Sequence, residues 1–154
     1  MAEVIHLELK DGTIVIDLKP EVAPNHVARI KELASQGFYD GIVFHRVIDG
    51  FMAQTGDPTG TGTGGSGVNL AAEFSDAPHL RGTCSMARAQ HPDSADSQFF
   101  ICFADHSFLD GQYTVWGQVR EEGLALVDNI KKGDPNSGAM NDPDTIVSMK
   151  VVEE

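Results

Sequence analysis

What most restricts the fold of this chain is the shortness of its apolar runs. The opening "EVIHLELKDGTIVIDLKP" alternates apolar and polar residues on both sides of Asp11-Gly12, and "IVFHRVI", "FMAQT", "GTCSMA", "SQFFICFA", "TVWGQV" and "TIVSMKVV" follow. Period-two alternation between turn residues is the strand signal, and Asp-Gly between two such runs marks a hairpin. Ile5, Leu7 and Leu9 would then share one face. Only two stretches switch to helical spacing. In "PNHVARIKELASQG", Val27, Ile30 and Leu33 or Ala34 form a stripe behind a first-turn proline, with Gly37 at the stop. In "EEGLALVDNIKKG", Leu124, Val127 and Ile130 face inward, lysines occupy the last turn and Gly133 closes it. About eight strands against two helices predicts a closed antiparallel barrel with helices over its openings, not βαβ crossovers. The 154 residues, 41% of them apolar, suffice for one domain over 1–154 without metal or disulfide staples.

Composition narrows the function. Asp and Glu outnumber Lys and Arg 23 to 11, a net charge of −12, which disfavours nucleic acid and anionic membrane surfaces. No apolar run approaches the roughly 20 residues of a membrane span, and the acidic start does not read as a signal peptide. The expectation is a cytoplasmic protein. Cys84 and Cys102, in "GTCSMA" and "FFICFA", read as reduced structural cysteines. Histidines 6, 26, 45, 79, 91 and 106 show no metal-ligand spacing, so no metal is expected. No G-x-S-x-G occurs, which leaves hydrolase chemistry without a nucleophile signature. "GTGTGGSG" contains G-x-G-x-x-G from Gly60 and again from Gly62, but no long amphipathic helix opens from it. It reads as a flexible surface loop.

The stretch "IVFHRVIDGFMAQTGD" places Arg46, charged at every relevant pH, in an apolar run. Taken alone, such an arginine reads as solvent-facing or ordinarily ion-paired. If the run is a strand, Phe44, Arg46 and Ile48 point the same way. A three-residue hairpin loop at Asp49-Gly50-Phe51 would pair Arg46 with Gln54 and Ile48 with Met52; a two-residue Asp-Gly turn would pair Arg46 with Ala53.

The blocks "FHRVIDGFMAQTGD", "SMARAQHPDSADSQFFICFAD" and "FLDGQYTVWGQV" resemble, in order, the signature blocks of cyclophilin-type peptidyl-prolyl cis-trans isomerases. The resemblance covers nearly the whole chain. It implies a mainly β fold, an eight-stranded antiparallel closed β-barrel capped by two α-helices, with a groove on the outer surface. It also implies catalysis of rotation about X-Pro bonds without a cofactor. By motif, Arg46 resembles the catalytic arginine and Gln54 the glutamine that positions it and the substrate carbonyl. Phe51, Met52, Phe100 and Leu109 resemble the proline pocket, and His45, Ala87, Arg88, Ala89, Gln98, Phe108 and Tyr113 the rest of the groove. The implied partners are proline-containing peptides and unfolded or partly folded proteins; a non-catalytic proline-peptide module or chaperone on the same fold is the alternative. Phe108 stands where tight cyclosporin binders have tryptophan, so a cyclosporin-type ligand is expected to bind weakly. Arg88 and Tyr113 replace the frequent asparagine and histidine, which leaves open the preferred residue before proline. A compact acidic chain without a spare apolar stripe suggests a monomer.

Overall fold

The computed structural model describes residues 2–154. The strands are β1 (Glu3–Leu9), β2 (Gly12–Leu18), β3 (Arg46–Ile48), β4 (Met52–Thr55), β5 (Thr83–Met86), β6 (Phe99–Cys102), β7 (Val115–Val119) and β8 (Ser148–Glu153). The helices are α1 (Pro24–Ser35) and α2 (Leu124–Asp128). All eight strands join one sheet in the order β3-β4-β6-β5-β7-β2-β1-β8, and every pairing is antiparallel.

The expected closed barrel is corrected to an open half-barrel. The edge strands β3 and β8 do not pair. Isolated bridges, Arg46 to Ala139 and Val43 to Thr145, span the gap, supported by the Phe44 N–H donating to Asp144 O at 2.8 Å. The physical reason lies in β3, which is three residues long. It offers too few backbone groups to continue a ladder, and the chain before β8 runs past it irregularly.

Alternation places the core. Ile5, Leu7 and Leu9 from β1, Ile14 and Ile16 from β2, Phe99 and Ile101 from β6, and Trp116 from β7 pack with Val27 and Ile30 of α1. The β1–β2 loop is Lys10-Asp11, because Leu9 pairs with Gly12; the turn therefore sits one residue earlier than the Asp11-Gly12 signal suggested. Helix α1 follows its pattern, with Pro24 at the start and Val27, Ile30, Leu33 and Ala34 buried. The Gly37 N–H donates to Ala34 O and the Phe38 N–H to Leu33 O, which ends the helix by capping its last carbonyls.

The second helix is shorter than its periodicity predicts. Glu121–Gly123 form a 3-10 turn, α2 stops at Asp128, and the lysines and Gly133 lie beyond it. The chain is diverted there because the Lys131 N–H donates to Asp144 at 2.8 Å and the Gly133 N–H to Val47 O at 2.9 Å. Those tertiary bonds outweigh helix propensity. Val127 and Ile130 are buried as expected.

Candidate active site

The β3–β4 hairpin settles the register of Arg46. Arg46 pairs with Gln54, Val47 with Ala53 and Ile48 with Met52, around the loop Asp49-Gly50-Phe51, where the Phe51 N–H donates to Ile48 O at 3.0 Å. Val47 and Ala53 enter the main core, so Arg46 and Ile48 take the opposite, outer face. Phe44 does not share that face: it is fully buried in the main core, because the strand begins only at Arg46 and the period-two count does not extend back to it.

Two neighbours hold Arg46. Its Nε donates to Ser137 O at 3.2 Å and its Nη1 to Gln54 Oε1 at 3.2 Å. Nη2 has no partner among the described residues. The loop carrying Ser137 comes so close that a Cβ on Gly138 would lie 2.8 Å from Arg46 Cγ, at a backbone φ of +77°. Gln54 Nε2 donates onward to Gln98 Oε1 at 2.9 Å, and Gln98 Nε2 donates to the carbonyls of Gly62 and Gly64, both at 3.0 Å. Arg46, Gln54 and Gln98 thus form one chain of hydrogen bonds ending on the glycine-rich loop.

That loop departs from its reading as a flexible surface segment. Asp57, 1% exposed, accepts the N–H groups of Thr59, Thr61, Gly62 and Gly64 and the Thr59 hydroxyl. Burial alone would raise the Asp57 carboxyl, but these bonds outweigh it and hold the group well below the usual carboxylate range. Asp96 accepts the N–H groups of Ser66 and Gly67 and the Ser66 hydroxyl. The glycines at 64 and 65 are needed because a Cβ at either would strike these carboxylates or their Thr59 partner.

Strand β6 is apolar on both faces: Phe99 and Ile101 join the main core, while Phe100 and Cys102 form a second cluster with Met52 and Leu109. Ile48, Phe51, Ala87 and Tyr113 pack on that cluster. It floors a cavity of about 420 Å³ lined by His45, Arg46, Phe51, Met52, Gln54, Ala87, Arg88, Phe100, Leu109 and Tyr113, together with Thr61, Gly62, Ser137 and Ala139. Ten of the thirteen residues singled out in the sequence therefore converge on one cavity. Ala89 and Gln98 do not line it; they line an adjoining cavity of about 440 Å³, shared with Gln54, Ala87 and Arg88. Phe108 lines neither. It is 68% exposed and stacks on Phe51, with ring centroids 6.0 Å apart.

The wall residues Thr61, Gly62, Ser137 and Ala139 escaped the sequence reading. Asp57 two residues before Thr59 is the signature of an Asx-type turn and could have flagged the first pair. Ser137 reaches Arg46 through a backbone carbonyl across 91 residues, which no side-chain pattern reveals.

Burial, offset by Asp57 and reinforced by Arg46, lowers the pKa of His45. His79 is buried beneath Phe100, ring centroids 6.2 Å apart, with Nδ1 3.1 Å from Asp110 Oδ1 and Nε2 2.9 Å from Ser85 Oγ. Burial outweighs Asp110 and lowers its pKa also. Burial pushes the Cys102 thiol up to about 12 and raises Cys84 well above its ordinary value, so neither is poised as a nucleophile.

The family profile described as "Cyclophilin type peptidyl-prolyl cis-trans isomerase/CLD" matches residues 4–151. A probable peptidyl-prolyl cis-trans isomerase of Brucella suis is 51% identical over 158 aligned positions, covering 94% of this chain and 80% of that protein. A peptidyl-prolyl cis-trans isomerase of Synechococcus elongatus is 44% identical, covering 96% and 95%. The crystal structure of a cyclophilin type peptidyl-prolyl cis-trans isomerase from Cryptosporidium parvum superposes with a TM-score of 0.89 at 27% identity, over 100% of this chain and 99% of that one. The same protein, solved in the presence of the dipeptide Ala-Pro, superposes with a TM-score of 0.87 at 28% identity, covering 98% and 99%.

Proposed function

This chain belongs to the cyclophilin-type peptidyl-prolyl cis-trans isomerases, and from that membership we propose that its residues 1–154 act as one domain that turns X-Pro bonds through a transition-state hydrogen bond from Arg46. The substrates are proline-containing peptides and folding proteins. The Ala-Pro dipeptide used with the Cryptosporidium parvum relative supports that substrate class.

Amide resonance gives the bond to proline a rotational barrier of about 18 to 20 kcal/mol. At the twisted transition state the resonance is lost and the prolyl nitrogen regains a basic lone pair. A donor aimed at that nitrogen binds the transition state better than either planar ground state. Arg46 supplies it without moving a proton or forming a covalent bond. The observation that carries the reading is the half-anchored guanidinium: Ser137 and Gln54 fix Nε and Nη1, while Nη2 has no partner among the described residues although Arg46 lines a cavity with an apolar floor. Phe51, Met52, Phe100 and Leu109 grip the proline ring. Gln54 holds the carbonyl that precedes it, and Gln98 holds Gln54.

A millionfold acceleration means lowering the barrier by about 8 kcal/mol. A charge-assisted hydrogen bond contributes about 1.5–3 kcal/mol. Orientation of the ring and exclusion of water, which strengthens the field of Arg46, supply the remainder. Arg46→Ala is expected to keep the fold and lose at least 100-fold in kcat/KM, on the order of one such hydrogen bond plus lost orientation. Arg46→Lys is expected to be nearly as poor because the planar fork is gone. Exchange NMR on a proline peptide measures both; near-wild-type rates would overturn the role of Arg46, and binding without acceleration by the wild type would indicate a non-catalytic proline-peptide module.

A further inference from the structure

Among the arginines, Arg29 pairs with Glu32, Arg81 with Asp128, and Arg120 with Asp17 and Glu154. Arg46 and Arg88 pair with no carboxylate among the described residues, although acids outnumber bases two to one in this chain. Both line the groove. Arg46 has its role in the reaction; Arg88 has none so far. Its guanidinium is not loose, because Nε and Nη2 donate to Gln112 O, at 3.1 and 2.9 Å, and Nη1 donates to Ala89 O at 3.0 Å and Gln90 O at 3.1 Å. It lies over the Tyr113 ring, 4.8 Å from the centroid. A guanidinium carries five N–H groups, so one on Nη2 remains without an acceptor among the described residues. The carbonyls and the ring hold the cation in place and none of them neutralises it.

Arg88 stands where the two cavities meet, since it lines both, as Gln54 does. Asp96 lines the second cavity, but its carboxylate oxygens are taken by Ser66 and Gly67. We propose that Arg88 is a specificity-determining residue that favours peptides with an acidic side chain one or two positions before the proline. The inference rests on the functional reading above: if Gln54 holds the carbonyl preceding the proline, the residues upstream lie at the junction and in the second cavity, within the field of Arg88. Elsewhere the surface of a chain with net charge −12 repels an acidic peptide. At about 0.15 M salt that repulsion is screened beyond roughly 8 Å, whereas a contact ion pair at the groove is not.

The test compares peptides alike except for Glu, Gln or Lys directly before proline, and a second set with the same residues one position earlier, by exchange NMR at about 0.15 M salt. The wild type is expected to favour Glu over Gln by about threefold in kcat/KM in at least one set, the size of one unit-charge contact at a solvated site, with Lys below Gln. The Glu/Gln ratio falls to about one in Arg88→Gln, survives in part in Arg88→Lys, and collapses for the wild type at about 1 M salt, where the screening length is roughly 3 Å. Ratios within one peptide pair are insensitive to any general loss of activity or folded protein in the variants. Acceleration of all peptides without charge preference in the wild type overturns the role of Arg88 and leaves the isomerase reading standing; a preference that persists in Arg88→Gln also overturns it. Failure to accelerate any peptide overturns both.

Discussion

At the scale of single residues, the position of Arg46 depends on an atom that is missing elsewhere. Gly138 has φ +77° and passes so close that a Cβ would lie 2.8 Å from Arg46 Cγ and 2.9 Å from Ile48 Cγ1. Gly138→Ala would combine left-handed strain, about 1–2 kcal/mol, with displacement of the guanidinium from Ser137 O. A shift of about 1 Å at a reacting group can cost 100-fold, so kcat/KM is expected to fall between about 10- and 100-fold. Gly41 is the control: its φ is +80° and none of the described residues lies within 4 Å of a Cβ there. Gly41→Ala should lose similar stability in urea denaturation and keep its rate. Equal rate losses in the two variants would mean that strain, not the fit against Arg46, is what matters. The arginine itself was legible as an anomaly in its run. The glycine that seats it was not, because the two meet only through the fold.

At the scale of elements, the loop after β4 behaves as a unit built on Asp57. Its carboxylate gathers four backbone N–H groups, and the same loop offers the carbonyls that hold Gln98. Asp57→Asn puts an amide donor among donors, which is expected to cost about 1–3 kcal/mol of stability and to slow catalysis through Gln98 and Gln54. The pH sign follows from the lowered carboxyl pKa. The stabilisation is fully present above the unfolded value of about 3.9, and is lost as pH falls below that toward the folded value. The Tm gap between wild type and Asp57→Asn should therefore be wide at pH 7 and begin to shrink by pH 3; a gap independent of pH would exclude the charge as its cause. Periodicity made the strands and α1 legible, because each buries one face. It overextended α2, where the bonds from Lys131 and Gly133 to distant partners intervene. It also took the glycine run for slack chain, since the carboxylates that organise it stand outside the repeat.

At the scale of the whole molecule, openness of the sheet and presence of the groove are one fact. A continuous β3–β8 ladder would occupy the backbone around Ser137 and Ala139, which instead walls the cavity and holds Arg46. The groove therefore rests on buried polar packing, and that packing makes stability depend on pH near neutrality. The net charge is −12 at pH 7, and histidine is the side chain whose ordinary pKa lies between pH 5 and 8. His45 and His79 both have lowered folded pKa values, chiefly through burial. The unfolded chain takes up their protons near pH 6.5 while the folded chain resists, so stability falls as pH drops through that value, by at most about 1.4 kcal/mol per pH unit for each. Asp110 beside His79 and Asp57 near His45 oppose the shift without reversing it. Chemical denaturation at pH 7.5, 6.5, 5.5 and 5 should give an unfolding free energy that declines toward acid, with a shallower decline in His45→Gln and in His79→Gln. A flat profile for the wild type, or slopes unchanged in both variants, would remove the histidines as its source. Relaxed charge repulsion, which predicts rising stability toward acid, would then be the stronger influence on the fold.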